Sequence, residues 1–379
     1  MDFELSEEQQ LLKDMAGRFM QDRYGFETRG KYMKEPLGFD PAIWEAYAEQ
    51  GLLALPFAEE DGGIGGGGVE VMIVMEQMGK ALSLEPYLAT AVIGASILRN
   101  GATDAQRQAL AEEIIGGACK LAFAHSEGPA RYDLAHVATR AEQSGDAYSL
   151  TGDKTLVLWG GAADKLIVSA RVSGGVRDED GVALFLVDPK AEGVSLQVYD
   201  TQDGLKAAEV KLEGAQGELL GETPGKAMAV IRQAADEAIA ALCAEAVGAM
   251  EKALELTVDY IKQREQFGRA IGSFQGLQFQ ASDMFVELEL AKSMAMYASM
   301  CARDPDPVER SRACSAAKAQ VGRSLKALGE RSIQLHGGVG MTMEYSIGHY
   351  FKRLSIIDRM FGDVDFHLQK LDEAGGLAA

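Results

Sequence analysis

Cysteine is scarce in this chain. Only 4 occur in 379 residues, at positions 119, 243, 301 and 314, and no two form a Cys-x-x-Cys pair. That spacing excludes a dense disulfide framework and the usual zinc motifs. Reduced, mostly buried thiols are expected, since Cys is among the most buried residue types. The 5 histidines, at 125, 136, 336, 349 and 367, stand apart from one another. No His-Glu-x-x-His, Walker A or Gly-x-Ser-x-Gly motif occurs, so no metal centre is expected. Positive charge is in short supply: 37 Lys and Arg face 57 Asp and Glu, a net charge of −20. Such a surface repels nucleic acid and anionic lipid. No apolar run approaches the roughly 18 residues a membrane helix needs. The acidic start, Met1-Asp2-Phe3-Glu4-Leu5-Ser6-Glu7-Glu8, has neither a basic nor an apolar leader, so it does not read as a signal peptide. A cytoplasmic protein that binds neither nucleic acid nor membrane is expected.

What is present is the mix of a folded protein. Hydrophobic residues make up 47% and charged residues 25%, which rules out a disordered chain. The length suggests two to three domains, and the texture changes twice. Residues 1–118 are helical in pattern. Ser6 caps an apolar series through Leu11, Leu12, Met15 and Phe19. Pro41-Ala42-Ile43-Trp44 opens another helix. Met72, Val74, Met75 and Met78 fall at helical spacing within Val69 to Ala81, and a Met stripe of this kind is core material. Residues 119–225 carry short β-like runs: 119–124, 137–141, 147–151, 165–170, 181–187 and 194–199. Turn sequences such as Ser144-Gly145-Asp146 break them, so a small β-sandwich or barrel is expected. Residues 226–379 return to helix, with runs 227–261, 277–301 and 308–335 reading as an antiparallel, four-helix-bundle-like domain. The expected fold class is therefore α+β and multi-domain, in the order helical, β, helical.

Three glycine-bearing segments merit comparison. Gly62 to Gly68 formally contains Gly-x-Gly-x-x-Gly, but its flanks are helical, so a connecting loop is expected and not a dinucleotide fingerprint. Arg264-Glu265-Gln266-Phe267-Gly268 runs on to Ile271-Gly272-Ser273-Phe274-Gln275. It combines a guanidinium for an anion, an aromatic face and a hydrogen-bonding amide. Gln334-Leu335-His336-Gly337-Gly338-Val339-Gly340 follows a helix, and its glycines suit either a C-cap or the close approach of a ligand.

With these cassettes in a helical–β–helical chain, the sequence resembles the acyl-CoA dehydrogenase family over essentially its whole length. Leu5-Ser6-Glu7-Glu8-Gln9, Leu55-Pro56-Phe57-Ala58-Glu59-Glu60-Asp61-Gly62-Gly63-Ile64-Gly65 and Tyr148-Ser149-Leu150-Thr151-Gly152-Asp153-Lys154 also carry the resemblance. It implies FAD held between the β domain and the C-terminal helices, across a dimer interface. It further implies that Arg264, Phe267 and Gln275 reach the pyrophosphate and adenosine portion from the neighbouring subunit, and that Gln334, Gly337 and Gly338 line the same region of the cofactor. By the same resemblance the Ser126 hydroxyl meets the flavin ring, an acyl-CoA is the substrate, and an electron-transferring flavoprotein takes the electrons. The assembly implied is a tetramer, either a homo-oligomeric dimer of dimers or a heterotetramer with a sister chain.

The departures from the family pattern are as informative. The family's Thr-Glu-Pro-Gly-Ala-Gly-Ser-Asp is Ser126-Glu127-Gly128-Pro129-Ala130-Arg131-Tyr132-Asp133 here. The Trp and Thr of its Trp-Ile-Thr-Asn-Gly become Leu156 and Leu158. The base of α,β-dehydrogenation is a carboxylate within hydrogen-bond reach of the α-proton. The family's usual Glu falls on Phe361 or Gly362, and its alternative site on the first C-terminal helix falls on Ala238. Neighbouring Glu237 points about 100° away around that helix. Asp363 is the remaining carboxylate nearby, as a base or as a turn residue. The resemblance thus leaves a dehydrogenase with a relocated base, or a partner subunit of a heteromeric enzyme. Met360-Phe361-Gly362-Asp363-Val364-Asp365 is similar to the small-subunit type linked to pimeloyl-CoA and sterol side-chain degradation. A non-enzymatic scaffold and a nitroalkane-oxidase-like or monooxygenase-like oxidase are the remaining alternatives.

Overall fold

A computed structural model describes residues 4–145 and 147–376. Met1 to Phe3, Asp146 of the expected turn and 377–379 lie outside the described residues. In chain order the helices are α1 (Glu7–Arg23), α2 (Phe26–Tyr32), α3 (Pro41–Glu49), α4 (Gly68–Ala81), α5 (Ala95–Gly101), α6 (Asp104–Ile115), α7 (Met228–Gln263), α8 (Gln275–Cys301), α9 (Pro307–His336), α10 (Ile347–Arg359) and α11 (Val364–Glu373). The strands are β1 (Leu121–Ala124), β2 (Arg140–Ser144), β3 (Ala147–Leu158), β4 (Lys165–Arg171), β5 (Val182–Val187), β6 (Val194–Asp200), β7 (Lys206–Leu219), β8 (Glu265–Gln266) and β9 (Arg269–Ala270). Among the described residues no helix is long and apolar enough to cross a membrane. The chain forms two compact units, Met1–Gly30, Gly68–Ser83 and Ile239–Ala379 in one, and Lys31–Gly67 and Leu84–Ala238 in the other.

The first unit is helical. Ser6 and Gln9 form a reciprocal capping box on α1, and Asp306 with Pro307 starts α9. The three methionines of α4, Met72, Met75 and Met78, are buried together with Val74, as expected. Two glycines let α4 and α7 touch through their backbones. A Cβ on Gly79 would sit 2.0 Å from the Glu245 carbonyl oxygen, and one on Gly248 would sit 1.9 Å from that of Glu76. No rotamer relieves a clash with backbone, so Gly248→Ala is expected to cost at least the ~1–3 kcal/mol of an overpacked core. A thermal melt that matches the parent's would refute this.

The second unit holds the β domain. Its sheet runs β1-β4-β2-β3-β7-β5, and β5 pairs back to β4, so five strands close on themselves. Closure removes exposed edges. Leu150, Val157, Val168, Phe185, Val210 and Leu212 fill the interior. Two differences from the expected strands have local causes. The run expected at 137–141 becomes a strand only at Arg140, because the amides of Ala138 and Thr139 donate to the Glu127 carboxylate at 2.7 and 3.0 Å. The charge-rich 206–219 stretch forms β7, its inward positions being small or apolar. Arg171, 1% exposed, donates to the carbonyls of Ala135, Val137, Val176, Asp178 and Asp180. The loops 135–137 and 176–180 are thereby fixed.

Candidate functional site

Arg264 stands just past the last turn of α7. The β8–β9 hairpin follows, turning through Phe267 (φ 56°) and Gly268 (φ 76°), the pair of left-handed residues that a tight two-residue hairpin requires. The turn thrusts Phe267 outward, so its ring is 92% exposed. That ring meets Phe274 edge-on at 6.2 Å, and the Arg269 guanidinium lies 4.0 Å above the Phe274 ring. Arg264 and Gln275, the first residue of α8, are exposed.

The second cassette closes α9. Gln334, Gly337 and Gly338 are exposed, and a Cβ on either glycine would meet nothing within 4 Å. His336 is buried; it stacks on Tyr260 at 4.4 Å and meets Tyr345 in a tilted contact at 5.1 Å. Its Nδ1 bonds the Ser332 carbonyl at 2.7 Å, while its Nε2 has no partner among the described residues. Burial lowers its pKa, keeping the ring neutral. Tyr260 belongs to the last turn of α7, four residues before Arg264. The Tyr260–His336 stack therefore ties the second cassette to the helix that carries the first. A guanidinium, two amides, an exposed ring and two unwalled glycines form a donor set that fits a dinucleotide's phosphates and adenosine.

In the same unit lies the Met360–Asp363 corner, where the resemblance sets the base. Phe361 (φ 56°) and Gly362 (φ 115°) turn the chain between α10 and α11. Buried Lys318 of α9 donates to the carbonyls of Asp358 at 2.8 Å and Gly362 at 2.7 Å. His367 Nε2 bonds the Phe361 carbonyl at 3.1 Å; burial pushes this imidazole down to about 3, so it is neutral and Nε2 is the donor. Only glycine fits at 362, since a Cβ there would lie 2.4 Å from the Phe366 ring. Asp363 is half-buried, and its carboxylate caps α11 by accepting the Phe366 amide at 3.0 Å.

The β domain presents its candidate residues separately. Ser126 is exposed just past the end of β1. Directly beneath it, Lys154 of β3 is completely buried and bonds Glu127 Oε1 at 2.7 Å, Ser169 Oγ at 3.1 Å and the His125 carbonyl at 3.2 Å. Burial alone would raise the Glu127 carboxyl, but the Lys154 charge and the donors around it bring it down to about 2. Leu156 is exposed with φ 51°, in the bulge between Lys154 and Val157. Trp159 turns inward, its Nε1 donating to the Leu84 carbonyl at 2.7 Å. Glu237 is also spoken for: Arg99 Nη2 reaches both its oxygens at 2.5 and 2.7 Å, and Ser96 Oγ donates at 2.7 Å. Ala238 is fully buried. In the Gly62–Gly68 loop, Gly63 and Gly66 serve packing, since a Cβ on either would strike the carbonyl of Phe57 or Leu55.

Sequence reasoning missed Lys154, Lys318 and His367. For the two lysines the only available signal was a charged residue on the inward phase of a strand or on the apolar face of a helix.

The family models of the acyl-CoA dehydrogenase N-terminal, middle and C-terminal domains match residues 6–118, 122–214 and 225–374. The chain is 31% identical over 348 residues to the acyl-CoA dehydrogenase IpdE2 of Mycobacterium tuberculosis, covering 92% of this chain and 91% of that protein. Among solved structures it is similar to a Tcur3481–Tcur3483 steroid acyl-CoA dehydrogenase variant, with TM-score 0.86, 28% identity and 97% of each chain covered. It is also similar to the ChsE4–ChsE5 complex of Mycobacterium tuberculosis, with TM-score 0.85, 25% identity and 98% of each chain covered.

Proposed function

The chain belongs to the acyl-CoA dehydrogenase family, whose members bind FAD, and on that premise we propose that it is the partner subunit of a heteromeric acyl-CoA dehydrogenase. The assembly carries out α,β-dehydrogenation of an acyl-CoA thioester and passes the electrons to an electron-transferring flavoprotein. One observation carries this reading: the corner expected to hold the base presents Phe361 and Gly362, and its nearest carboxylate, Asp363, caps a helix. The carboxylate on the alternative helix, Glu237, is bound by Arg99. A sister chain in a cytoplasmic heterotetramer then supplies the base.

In this reading the domains are 1–118, 119–225 and 226–379. Arg264, Gln275, Gln334, Gly337 and Gly338 hold the pyrophosphate side of FAD, Phe267 lies against its adenosine portion, and the Ser126 hydroxyl meets the flavin ring. When bound, FAD supplies the acceptor for the hydride from the β-carbon. The protein's part is to bind and orient the cofactor and to shape the acyl site. Leu156, smaller than the family's Trp, leaves room for a bulky, ring-bearing acyl group, and Tyr132 in place of the family's Ser reshapes the adjoining loop. The similarity to a steroid acyl-CoA dehydrogenase supports the same substrate class.

The test is a visible spectrum of the purified chain before and after anaerobic addition of acyl-CoAs. The expected result is a chain that is colourless, or yellow near ~450 nm but bleached by no acyl-CoA until the sister chain is added. Bleaching of the lone chain, abolished by Asp363→Asn, would overturn this reading in favour of a self-sufficient dehydrogenase with Asp363 as base. Asp363 sits on the corner itself, which is the observation in favour of that second reading. Absence of flavin from both the chain and its co-purified complex would leave a binding scaffold.

A further inference from the structure

Three consecutive residues at the end of β1 are bonded to two consecutive residues of β3. The His125 carbonyl accepts from Lys154 Nζ at 3.2 Å, the Ser126 carbonyl accepts from the Thr155 amide at 2.8 Å, and Glu127 Oε1 accepts from Lys154 Nζ at 2.7 Å. The third bond of the ammonium goes to Ser169 Oγ at 3.1 Å, so all three of its protons are used. Ser169 Oγ is in turn hydrogen-bonded to His125 Nδ1 at 2.8 Å. The His125 ring lies flat on Phe123, with centroids 5.1 Å apart and planes 6° from parallel. The other side of Glu127 is fixed as firmly, accepting the Thr139 hydroxyl at 2.7 Å as well as the two amides named above. Between the two buried residues His125 and Glu127, Ser126 faces outward. One buried amine thus holds the residues before and after a single exposed hydroxyl.

We propose that Lys154 is a positioning residue for the flavin: by clamping His125 and Glu127 it fixes the Ser126 hydroxyl at the place where the flavin ring meets it. The proposal rests on the reading above that Ser126 faces the flavin. A buried ammonium suits this task better than a loop hydrogen bond. Charge-assisted bonds are short and roughly twice as strong as neutral ones, and a fully satisfied buried network is rigid. The flavin edge then meets a preset donor, with no ordering of the loop required on binding.

The test is a double-mutant cycle read on FAD affinity and on the position of the visible band. It uses the full-length chain, within its sister complex if flavin co-purifies only there. Lys154→Met alone would strand the Glu127 charge in the interior and threaten the fold. The companion variant Lys154→Met/Glu127→Gln therefore keeps the interior neutral. Ser126→Ala is expected to weaken FAD binding about 5-fold, the worth of one hydrogen bond, and to move the band. The neutral pair variant is expected to give a similar loss and the same band shift, and adding Ser126→Ala to it is expected to change neither further. Additive losses, or a pair variant with the parent's FAD affinity, would overturn the proposal while leaving Ser126 at the flavin. An unmoved band and unchanged affinity in Ser126→Ala would overturn the flavin placement and the proposal with it.

Discussion

Phe361→Glu is expected to turn a protein that no acyl-CoA bleaches into one that an acyl-CoA does. The corner is fixed through backbone, because Lys318 and His367 hold the carbonyls of Gly362 and Phe361, and neither bond involves the residue 361 side chain. The left-handed φ of 56° is already borne by a large non-glycine residue. Glu is not β-branched and carries no extra penalty there. The fold should therefore accept the change with little loss, and the new carboxylate would occupy one of the two positions, 361 and 362, where the resemblance sets the family's base. A positioned general base contributes about 10²–10⁴-fold. Anaerobic stopped-flow at the flavin band should show reduction at least ~100-fold faster than in the parent, with Lys318→Met in the same background removing most of the gain. A flavin-loaded variant that reduces at the parent's rate would mean that the corner does not face the acyl group.

The second large effect is on stability. Glu245 of α7 and Arg353 of α10 form a two-pronged pair at 2.6 and 2.8 Å, with side chains only 7% and 6% exposed. Removing one partner leaves a charge stranded away from water, a loss of about 3–5 kcal/mol. Arg353→Met is expected to show it as a fall in the urea midpoint. Replacing both partners, as Glu245→Met/Arg353→Met, is expected to recover most of the loss, since a packed apolar pair of similar volume is often neutral. If the double variant proved no more stable than Arg353→Met, the loss would come from packing and not from the stranded charge.

Much of this was legible beforehand, for reasons that differ by element. The long helices announce themselves through unbroken apolar periodicity: the expected run 227–261 is α7 to within two residues, and 308–335 is α9 to within one at each end. β7 was invisible because its outward positions carry Lys211, Glu213 and Glu218, and because Gly214 and Gly217 look like turn residues. The start of β2 was misplaced because a distant carboxylate, Glu127, takes the amides that would otherwise pair. The fully buried π-helical segment Leu88–Gly94 has no periodic signature of its own. In the candidate site the exposed members were readable as motif letters. Lys154 was legible only as a letter of the Tyr148–Lys154 match and Lys318 not at all; the supporting role of neither could be read, because a lysine in a sequence carries no mark of a burial that depends on partners far away in the chain.

Arg171 was described as an anchor for two loops, and the same bonds make those loops one cooperative unit. Its guanidinium is 1% exposed and depends on carbonyls from both 135–137 and 176–180. If either loop lifts away, part of a buried cation loses its acceptors, and that penalty falls on the loop that stayed behind. The two segments therefore share one free energy of opening. Their amides should exchange with deuterated water at a common rate, as a single patch, although nearly forty residues of chain and three strands separate them.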